Sequence, residues 1–310
     1  MFDAIAPLIL LIALGVILGR SGFLDEERRR VVDTLLFHLL MPAFILARLG
    51  SASLDMTVLA DLLVLVTGLV SSTGVAMLLL RRPFCFVLGG ISGATFTSLL
   101  QGTIRNNFFI PFAIAETANL DLGGLLAMAT VMNILPATAL SVFALTRHGD
   151  HATRPGWKCS LVTLVKNPLV MAALAGTGLS LSGIGLDGPL EGALRLLGNG
   201  VLGLALLAVG AGLRLGNMPR ARMGIFGISL AKLALLPLLA ALLAHALDAA
   251  ATTTATAVLL HTAPTAAGAY ILARQLGGDG ETMAAIISFQ TAACMFTMPL
   301  MLYLLGIRIV

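Results

Sequence analysis

Charged residues are scarce in this chain, at 11% of its 310 residues, whereas a typical soluble domain has about 25%. Aromatic residues make up only 5%, and there is a single tryptophan. This composition argues against an ordinary soluble enzyme. The three cysteines, Cys85, Cys159 and Cys294, are odd in number and widely spaced, which argues against a disulfide framework or a cysteine-bound metal. We therefore expect neither a metal nor a cofactor.

Apolar residues, in contrast, make up 58% of the chain and occur in long runs, which indicates an integral membrane protein surrounded by lipid. The formal net charge of +4 does not indicate a nucleic-acid partner, because the basic residues lie in short loops between apolar runs. A membrane-spanning helix needs about 20 residues. The sequence predicts ten such spans, at residues 3–20, 31–50, 57–80, 91–118, 122–146, 161–183, 189–214, 222–247, 252–276 and 281–305.

The apolar pattern runs twice. Residues 7–24 recur at residues 168–186 with an offset of 161, so that Gly15 corresponds to Gly176. Five predicted spans fall in each copy, and a unit with an odd number of spans ends on the opposite side of the membrane from its start. The second copy must therefore insert upside down. Inverted repeats of this kind are typical of secondary transporters.

These boundaries predict a first five-helix repeat at 1–146, a cytoplasmic linker at 147–160 and a second repeat at 161–310. If the amino terminus lies outside, most lysines and arginines face the cytoplasm, and only Arg48 and Arg308 fall outside. This asymmetry satisfies the positive-inside rule. We therefore expect a multi-pass protein of the inner cell membrane with both termini on the extracytoplasmic side.

Two of the predicted spans are interrupted. The fourth contains a polar run from Gln101 to Asn107 followed by Pro111, and the ninth contains Pro264 among small residues. We expect helix breaks at both prolines, because a backbone group freed at membrane depth must be bonded by protein, water or ligand. On an offset of 158 residues, Asn106 corresponds to Pro264. Paired breaks at equivalent places predict a binding site near the middle of the membrane.

Three segments carry a resemblance to a known family. They are TSLLQGTIRNNF at 97–108, the Asn167-Pro168 pair, and APTAAGAYILARQLGGD at 263–279. Together they resemble the auxin efflux carrier family of secondary transporters, and the resemblance covers essentially the whole chain. The sequence lacks the long central cytoplasmic loop of the plant proteins, so the plant substrate is not carried over.

The resemblance implies a fold similar to bile-acid sodium symporters and sodium/proton antiporters, in which helices four and nine cross at unwound centres. It also implies a scaffold of spans 1, 2, 6 and 7 and a moving transport domain of spans 3–5 and 8–10, as in an elevator mechanism. A homodimer through the scaffold is expected. Family members carry organic anions, and this resemblance makes carboxylates such as malate or malonate, or auxin-like acids, the expected substrates.

The chemistry of the broken spans fits an anion. The half-helices that follow the breaks would direct their amino-terminal dipole ends at a common point, and the Arg105 guanidinium matches a carboxylate bidentately. The alternative for Arg105 is that it extends to the membrane surface or pairs with Glu116. The predicted substrate-binding residues are Gln101, Arg105, Asn106, Asn107, Pro264 and Thr265.

Five further polar residues inside spans are candidates to line the transport path or to couple it to an ion: His38, Asn133, Lys232, His261 and Gln290. His261 precedes the second break by about one turn, which favours a role in proton coupling. Each of the five could instead pack in the core or bond to a neighbouring helix.

No catalytic or nucleotide-binding motif occurs in the sequence, so an enzyme is not expected. A cation/proton antiporter or a sodium-coupled symporter of the same fold remains the alternative to an anion carrier. An antiporter would ordinarily place aspartates at membrane depth, whereas the aspartates here fall at or beyond the predicted span ends. The favoured hypothesis is a secondary active transporter of small organic anions that works by alternating access.

Overall fold

The computed structural model describes residues 2–51, 56–150, 167–182, 185–213, 219 and 221–307. Within these residues the chain forms thirteen helices and no β-strand, which confirms the predicted all-α membrane class. The helices are α1 (Phe2–Arg20), α2 (Glu26–Gly50), α3 (Met56–Leu79), α4 (Arg81–Val87), α5 (Gly93–Ile104), α6 (Phe109–Thr117), α7 (Gly123–His148), α8 (Pro168–Leu181), α9 (Gly188–Ala211), α10 (Arg222–Ala246), α11 (Ala251–His261), α12 (Gly268–Gln275) and α13 (Gly280–Leu304).

Among the described helices, six are long and apolar enough to cross a membrane, namely α2, α3, α7, α9, α10 and α13, and α1 and α8 are shorter apolar helices. The predicted spans 91–118 and 252–276 are each divided in two, into α5 and α6 and into α11 and α12. Most of the predicted linker, 147–160, lies outside the described residues, and so does Cys159.

Helix α2 begins at Glu26 rather than at residue 31, where the apolar pattern predicted its start. The side chain of Asp25 accepts a hydrogen bond from the backbone N–H of Arg28 at 2.9 Å and so caps the first turn. Glu26 and Glu27 then occupy that turn, where negative charge is favourable next to the helix dipole. The charged run is therefore helical, although it is too polar to belong to a membrane span.

Two pairs of helices pack with their backbones in close approach. Helix α1 packs on α9, and α8 packs on α2. A β-carbon built on Gly15 would lie 3.0 Å from the Cα of Gly210, and one built on Gly176 would lie 2.8 Å from the Cβ of Leu49. Glycine at these positions therefore permits the contact, as small residues do in membrane bundles.

The bundle has two ends, which are named here by a residue at each. At the Asp279 end, Asp279 N donates to Ala94 O at 3.4 Å, and Asp150 N donates to Gly277 O at 2.7 Å. At the Arg48 end, Arg48 of α2 forms an ion pair with Glu116 of α6. Helix α2 connects the two ends. Its first turns line a cavity together with the start of α13 at the Asp279 end, and it carries Arg48 at the other end.

Candidate functional site

The two interrupted spans cross each other at their breaks. The segment 105–108 joins α5 to α6, the segment 262–267 joins α11 to α12, and the two form an isolated antiparallel bridge between Asn106 and Thr265. Asn107 N donates to Pro264 O at 2.7 Å, and Ala266 N donates to Arg105 O at 3.4 Å. Each break thus bonds backbone groups that the other break leaves without helical partners. We refer to these two segments as the crossing.

The two prolines do not play equal parts in the breaks. Pro264 lies inside the crossing, as predicted. Pro111 does not interrupt a helix but lies buried in the first turn of α6, which starts at Phe109. The backbone nitrogens of a first turn have no intrahelical acceptor, so proline is tolerated there at no loss of a hydrogen bond. The predicted break at Pro111 therefore falls in the segment 105–108 instead.

Gln290 of α13 holds the crossing from one side. Its Oε1 accepts hydrogen bonds from Thr265 N at 2.9 Å and from Thr265 Oγ1 at 2.7 Å. Its Nε2 donates to Gly102 O at 3.1 Å, and Thr265 Oγ1 is also 2.7 Å from that carbonyl. All of these groups are buried. The last turn of α5 and the second break are therefore tied to α13 by one amide side chain.

π-helical turns in α3 and α10 hold the crossing from two further sides. The turn Leu63–Gly68 presents Leu65 O to His261 Nε2, which donates to it at 3.1 Å. The turn Ala231–Leu235 presents Lys232, whose Nζ donates to Thr103 O at 3.0 Å and to Asn106 Oδ1. π turns often occur at functional sites. Here they bring a carbonyl and an ammonium group to the ends of α11 and α5.

Several buried polar atoms at the crossing lack partners. Within the described residues, neither amide atom of Gln101 has a hydrogen-bond partner, and the same is true of Asn106 Nδ2. Two guanidinium nitrogens of Arg105, Nε and Nη1, are likewise buried without an acceptor. An unsatisfied buried polar group costs about 1–3 kcal/mol, and more if it is charged. These unsatisfied polar atoms make the crossing and the turn before it the candidate binding site.

Arg105 does not form the ion pair with Glu116 that was the alternative for it. Glu116 pairs with Arg48 instead. The guanidinium of Arg105 lies towards the start of α12, where its Nη2 is 3.9 Å from a β-carbon built on Gly268. The arginine and the positive end of a helix dipole are thus close together, and both attract an anion.

Asn107 belongs to the crossing and also to a cavity. Its Oδ1 accepts from Phe109 N at 3.0 Å, so that the side chain caps the start of α6. A cavity of about 100 Å³ extends from Asn107 and Ala267 to the Asp279 end of the bundle. Four charged residues of the first turns of α2 line its outer part: Glu26, Arg29, Arg30 and Asp33.

A second cavity, of about 310 Å³, lies at the Arg48 end. Its polar lining includes Arg48, Asp121, Arg195 and Asn199. The ion pair between Arg48 and Glu116 stands beside it and joins α2 to α6. This pair could not be predicted from the sequence, because its two residues are 68 positions apart in the chain and each lies near the end of its helix.

The remaining predicted residues are placed differently. Asn133 is buried in α7, and within the described residues its amide atoms have no partner. His38 is exposed on α2, where its Nδ1 donates to Thr34 O of the same helix at 3.1 Å. The structure therefore does not bring His38 to the crossing. Sequence reasoning missed Cys294 of α13, whose thiol donates to Thr262 O at 3.7 Å, since a lone cysteine in an apolar helix carries no pattern.

A helical bundle with several apolar spans, in which two interrupted spans cross among buried polar groups, has the architecture of a membrane transport protein. A comparison with protein families agrees: the family described as membrane transport protein matches residues 1–302. The chain belongs to this family, the auxin efflux carriers, as the resemblance predicted. It is therefore a multi-pass transporter and not an enzyme. A comparison with curated proteins found no match.

Proposed function

We propose that this transporter carries small organic anions through the crossing by alternating access. The observation that carries the proposal is the set of buried donors without partners on Gln101, Arg105 and Asn106. Arg105 and Asn106 lie at the break of one span, and Gln101 lies one turn before it. The chain belongs to a family of transport proteins. A carboxylate such as that of malate, malonate or an auxin-like acid offers the acceptor oxygens that these donors lack.

Each predicted residue has a part in this proposal. Arg105 supplies the charge and a bidentate match to a carboxylate, while the amides of Gln101 and Asn106 orient its oxygens. Asn107 caps α6 and faces the cavity. Pro264 and Thr265 shape the second break, which places the start of α12 opposite Arg105. The N-terminal end of a helix acts as about half a positive charge, so the binding energy is shared between side chains and backbone.

We further propose the inverted repeat, because equivalent residues make equivalent contacts. Gly15 of α1 lies against Leu207 of α9, and Gly176 of α8 lies against Leu46 of α2. Adding the offset of 161 to Gly15 and Leu46 gives Gly176 and Leu207. The two contacts are therefore one contact made twice with the halves exchanged. Two repeats related by a two-fold axis produce this relation, and the odd number of spans predicted in each repeat makes the pair inverted.

In this proposal α1, α2, α8 and α9 form the scaffold, through which two copies form a homodimer, and the other spans form the transport domain. The cavity at the Asp279 end separates α2 and α9 from α12 and α13, which supports a boundary between the two groups. The Arg48–Glu116 pair crosses that boundary at the other end. Charge asymmetry supports a cytoplasmic Asp279 end, and both termini would then face outward.

The proposal is tested by uptake into proteoliposomes. Purified protein is reconstituted, and uptake of labelled malate, malonate and indole acetate is measured under imposed pH, sodium and voltage gradients. We expect saturable uptake of at least one anion. We also expect Arg105→Ala to reduce it by about 100-fold or more, since a hydrogen bond to a charged group is worth about 1.5–3 kcal/mol and Arg105 offers two.

Arg195→Ala is the matched control. Arg195 is 66% exposed and pairs with Glu191 of its own helix, so its loss removes a positive charge without touching the crossing. We expect uptake close to that of the wild type. Absence of flux for every anion would contradict the substrate class, and full activity of Arg105→Ala would contradict the site.

A further inference from the structure

The carboxyl-terminal end of α5 is crowded with donors that the protein itself supplies. Gly102 O accepts from Gln290 Nε2 and lies 2.7 Å from Thr265 Oγ1, and Thr103 O accepts from Lys232 Nζ. The carbonyl end of a helix carries about half a negative charge. In transporters with broken helices, such ends and unwound carbonyls are the groups that bind a coupling cation. Here these oxygens are already bonded.

Lys232 is the only charged residue among the three that bond to the end of α5, the others being Thr265 and Gln290. Its side chain is fully buried, and its Nζ bonds to one backbone carbonyl and to the side-chain oxygen of Asn106. Within the described residues no carboxylate lies within ion-pair distance of it. The titratable groups that interact with it are Cys294 and His261, and neither of these is a carboxylic acid. Its charge is therefore balanced by the dipole end of α5.

Asp279, which follows α12 in the chain, is engaged at the end of the bundle. Asp279 accepts hydrogen bonds from Thr282 N at 2.9 Å and from Thr95 Oγ1 at 2.9 Å. It caps α13 at the end of the bundle. It does not supply a carboxylate for a cation beside Lys232.

We propose that the ammonium group of Lys232 is a built-in cation, which occupies the place between Thr103 O and Asn106 Oδ1 that a solution cation would otherwise fill. Transport is then independent of sodium. Lys232 is a positioning residue, because it acts on the substrate site through Asn106, whose Oδ1 it holds while the Nδ2 stays available. The inference deepens the proposed function. Its uptake experiment rests on that function, whereas its unfolding experiment does not.

The first experiment measures thermal unfolding of the purified protein and needs no substrate. The wild-type melting temperature should be equal in sodium chloride and choline chloride, since the oxygens are bonded. Lys232→Ala leaves two buried oxygens and an open space. We expect a lower melting temperature that rises with methylammonium or sodium but not with choline, because a ligand that binds only the folded state stabilises it.

Two further variants keep the result interpretable. Lys232→Met retains most of the side-chain volume without the charge, and it should be destabilised with no response to any of the three cations. Ser229→Ala, in the preceding turn of the same helix, removes a buried hydroxyl that has no partner in the described part of the chain. It should behave as the wild type. A sodium-specific rise for the wild type, wild-type stability of Lys232→Met, or no cation response of Lys232→Ala would each overturn the proposal.

The second experiment measures anion uptake with sodium replaced by choline. Wild-type uptake should be the same in both salts, and Lys232→Met should fall about tenfold or more, because Asn106 Oδ1 and Thr103 O lose their donor. Uptake driven by a sodium gradient would overturn the built-in cation. No uptake in either salt would count against the proposed function, whereas the unfolding measurements would still decide the role of Lys232.

Discussion

Arg105 and Lys232 both lie at the crossing, but their partners differ. The Nζ of Lys232 donates to the oxygens of Thr103 and Asn106, whereas Arg105 has buried nitrogens with no acceptor among the described residues. A charge inside a membrane is costly unless it is paired. Lys232 is therefore bonded within the protein, whereas in the proposed function the substrate supplies the acceptors of Arg105.

Gln290 gives a prediction at the same scale. Gln290→Ala removes the acceptor of Thr265 N and a donor to Gly102 O, so a buried backbone N–H is left without a partner. We expect the free energy of unfolding to fall by about 1–3 kcal/mol. Thermal unfolding of the purified variant measures it.

Gln275→Ala is the control, because Gln275 is exposed at the end of α12 and its loss should leave the melting temperature unchanged. If the two variants unfold alike, the network around Gln290 does not stabilise the crossing.

Individual site residues could be found from the sequence where they contrast with their surroundings. Arg105 and Asn106 are conspicuous in an apolar span, and Pro264 carries a known backbone effect. Lys232 was also a candidate, but its bond to Asn106 could not be predicted, since the two residues are more than a hundred positions apart in the chain. His38 was equally conspicuous in its apolar span, but it lies exposed on α2 and away from the crossing.

At the scale of helices, the lengths of the apolar runs predicted most spans to within a few residues, because span length is set by membrane thickness. The interruptions were also predictable, since polar residues cluster there. The start of α6 was not, because the effect of Pro111 depends on whether it falls in a first turn or in a helix interior. The π turns were not predicted either, since an apolar run such as Leu63–Gly68 carries no pattern that distinguishes a π turn from an α turn.

Close helix approach gives a prediction at this scale. Gly176→Ala should destabilise the protein and weaken the contact between α8 and α2, because its β-carbon would lie 2.8 Å from the Cβ of Leu49. Gly178→Ala on the same helix should be neutral or slightly stabilising, because no atom lies within 4 Å of its β-carbon and alanine favours helix by about 1 kcal/mol.

Thermal unfolding of the two purified variants makes the comparison. A lower melting temperature for Gly178→Ala than for Gly176→Ala would contradict the packing of α8 on α2.

At the scale of the whole molecule, the two ends of the bundle differ in how they are closed. The cavity at the Asp279 end reaches Asn107 of the crossing. At the Arg48 end an ion pair joins α2 to α6. In the proposed alternating-access cycle, this pair must separate when the other end closes. Its side chains are each 41% exposed, so the pair is worth about 0–1 kcal/mol.

Glu116→Gln should therefore shift the population toward states open at the Arg48 end, by up to about fivefold. The measurement is the labelling rate of a cysteine introduced at Asn199, which lines the cavity at that end, in a background without the native cysteines.

Glu191→Gln is the control, because Glu191 pairs with Arg195 within α9 and connects no two helices. An equal increase in labelling for both variants would mean that the Arg48–Glu116 pair does not hold that end closed.

The two breaks meet through main-chain groups, as between Asn107 N and Pro264 O, and every amino acid except proline offers the same N–H and C=O. A side chain that makes no bond within the junction, such as that of Arg105, can therefore change over evolution without dismantling it. Substrate preference can diverge one residue at a time on a constant backbone, and an engineer could alter it in the same way.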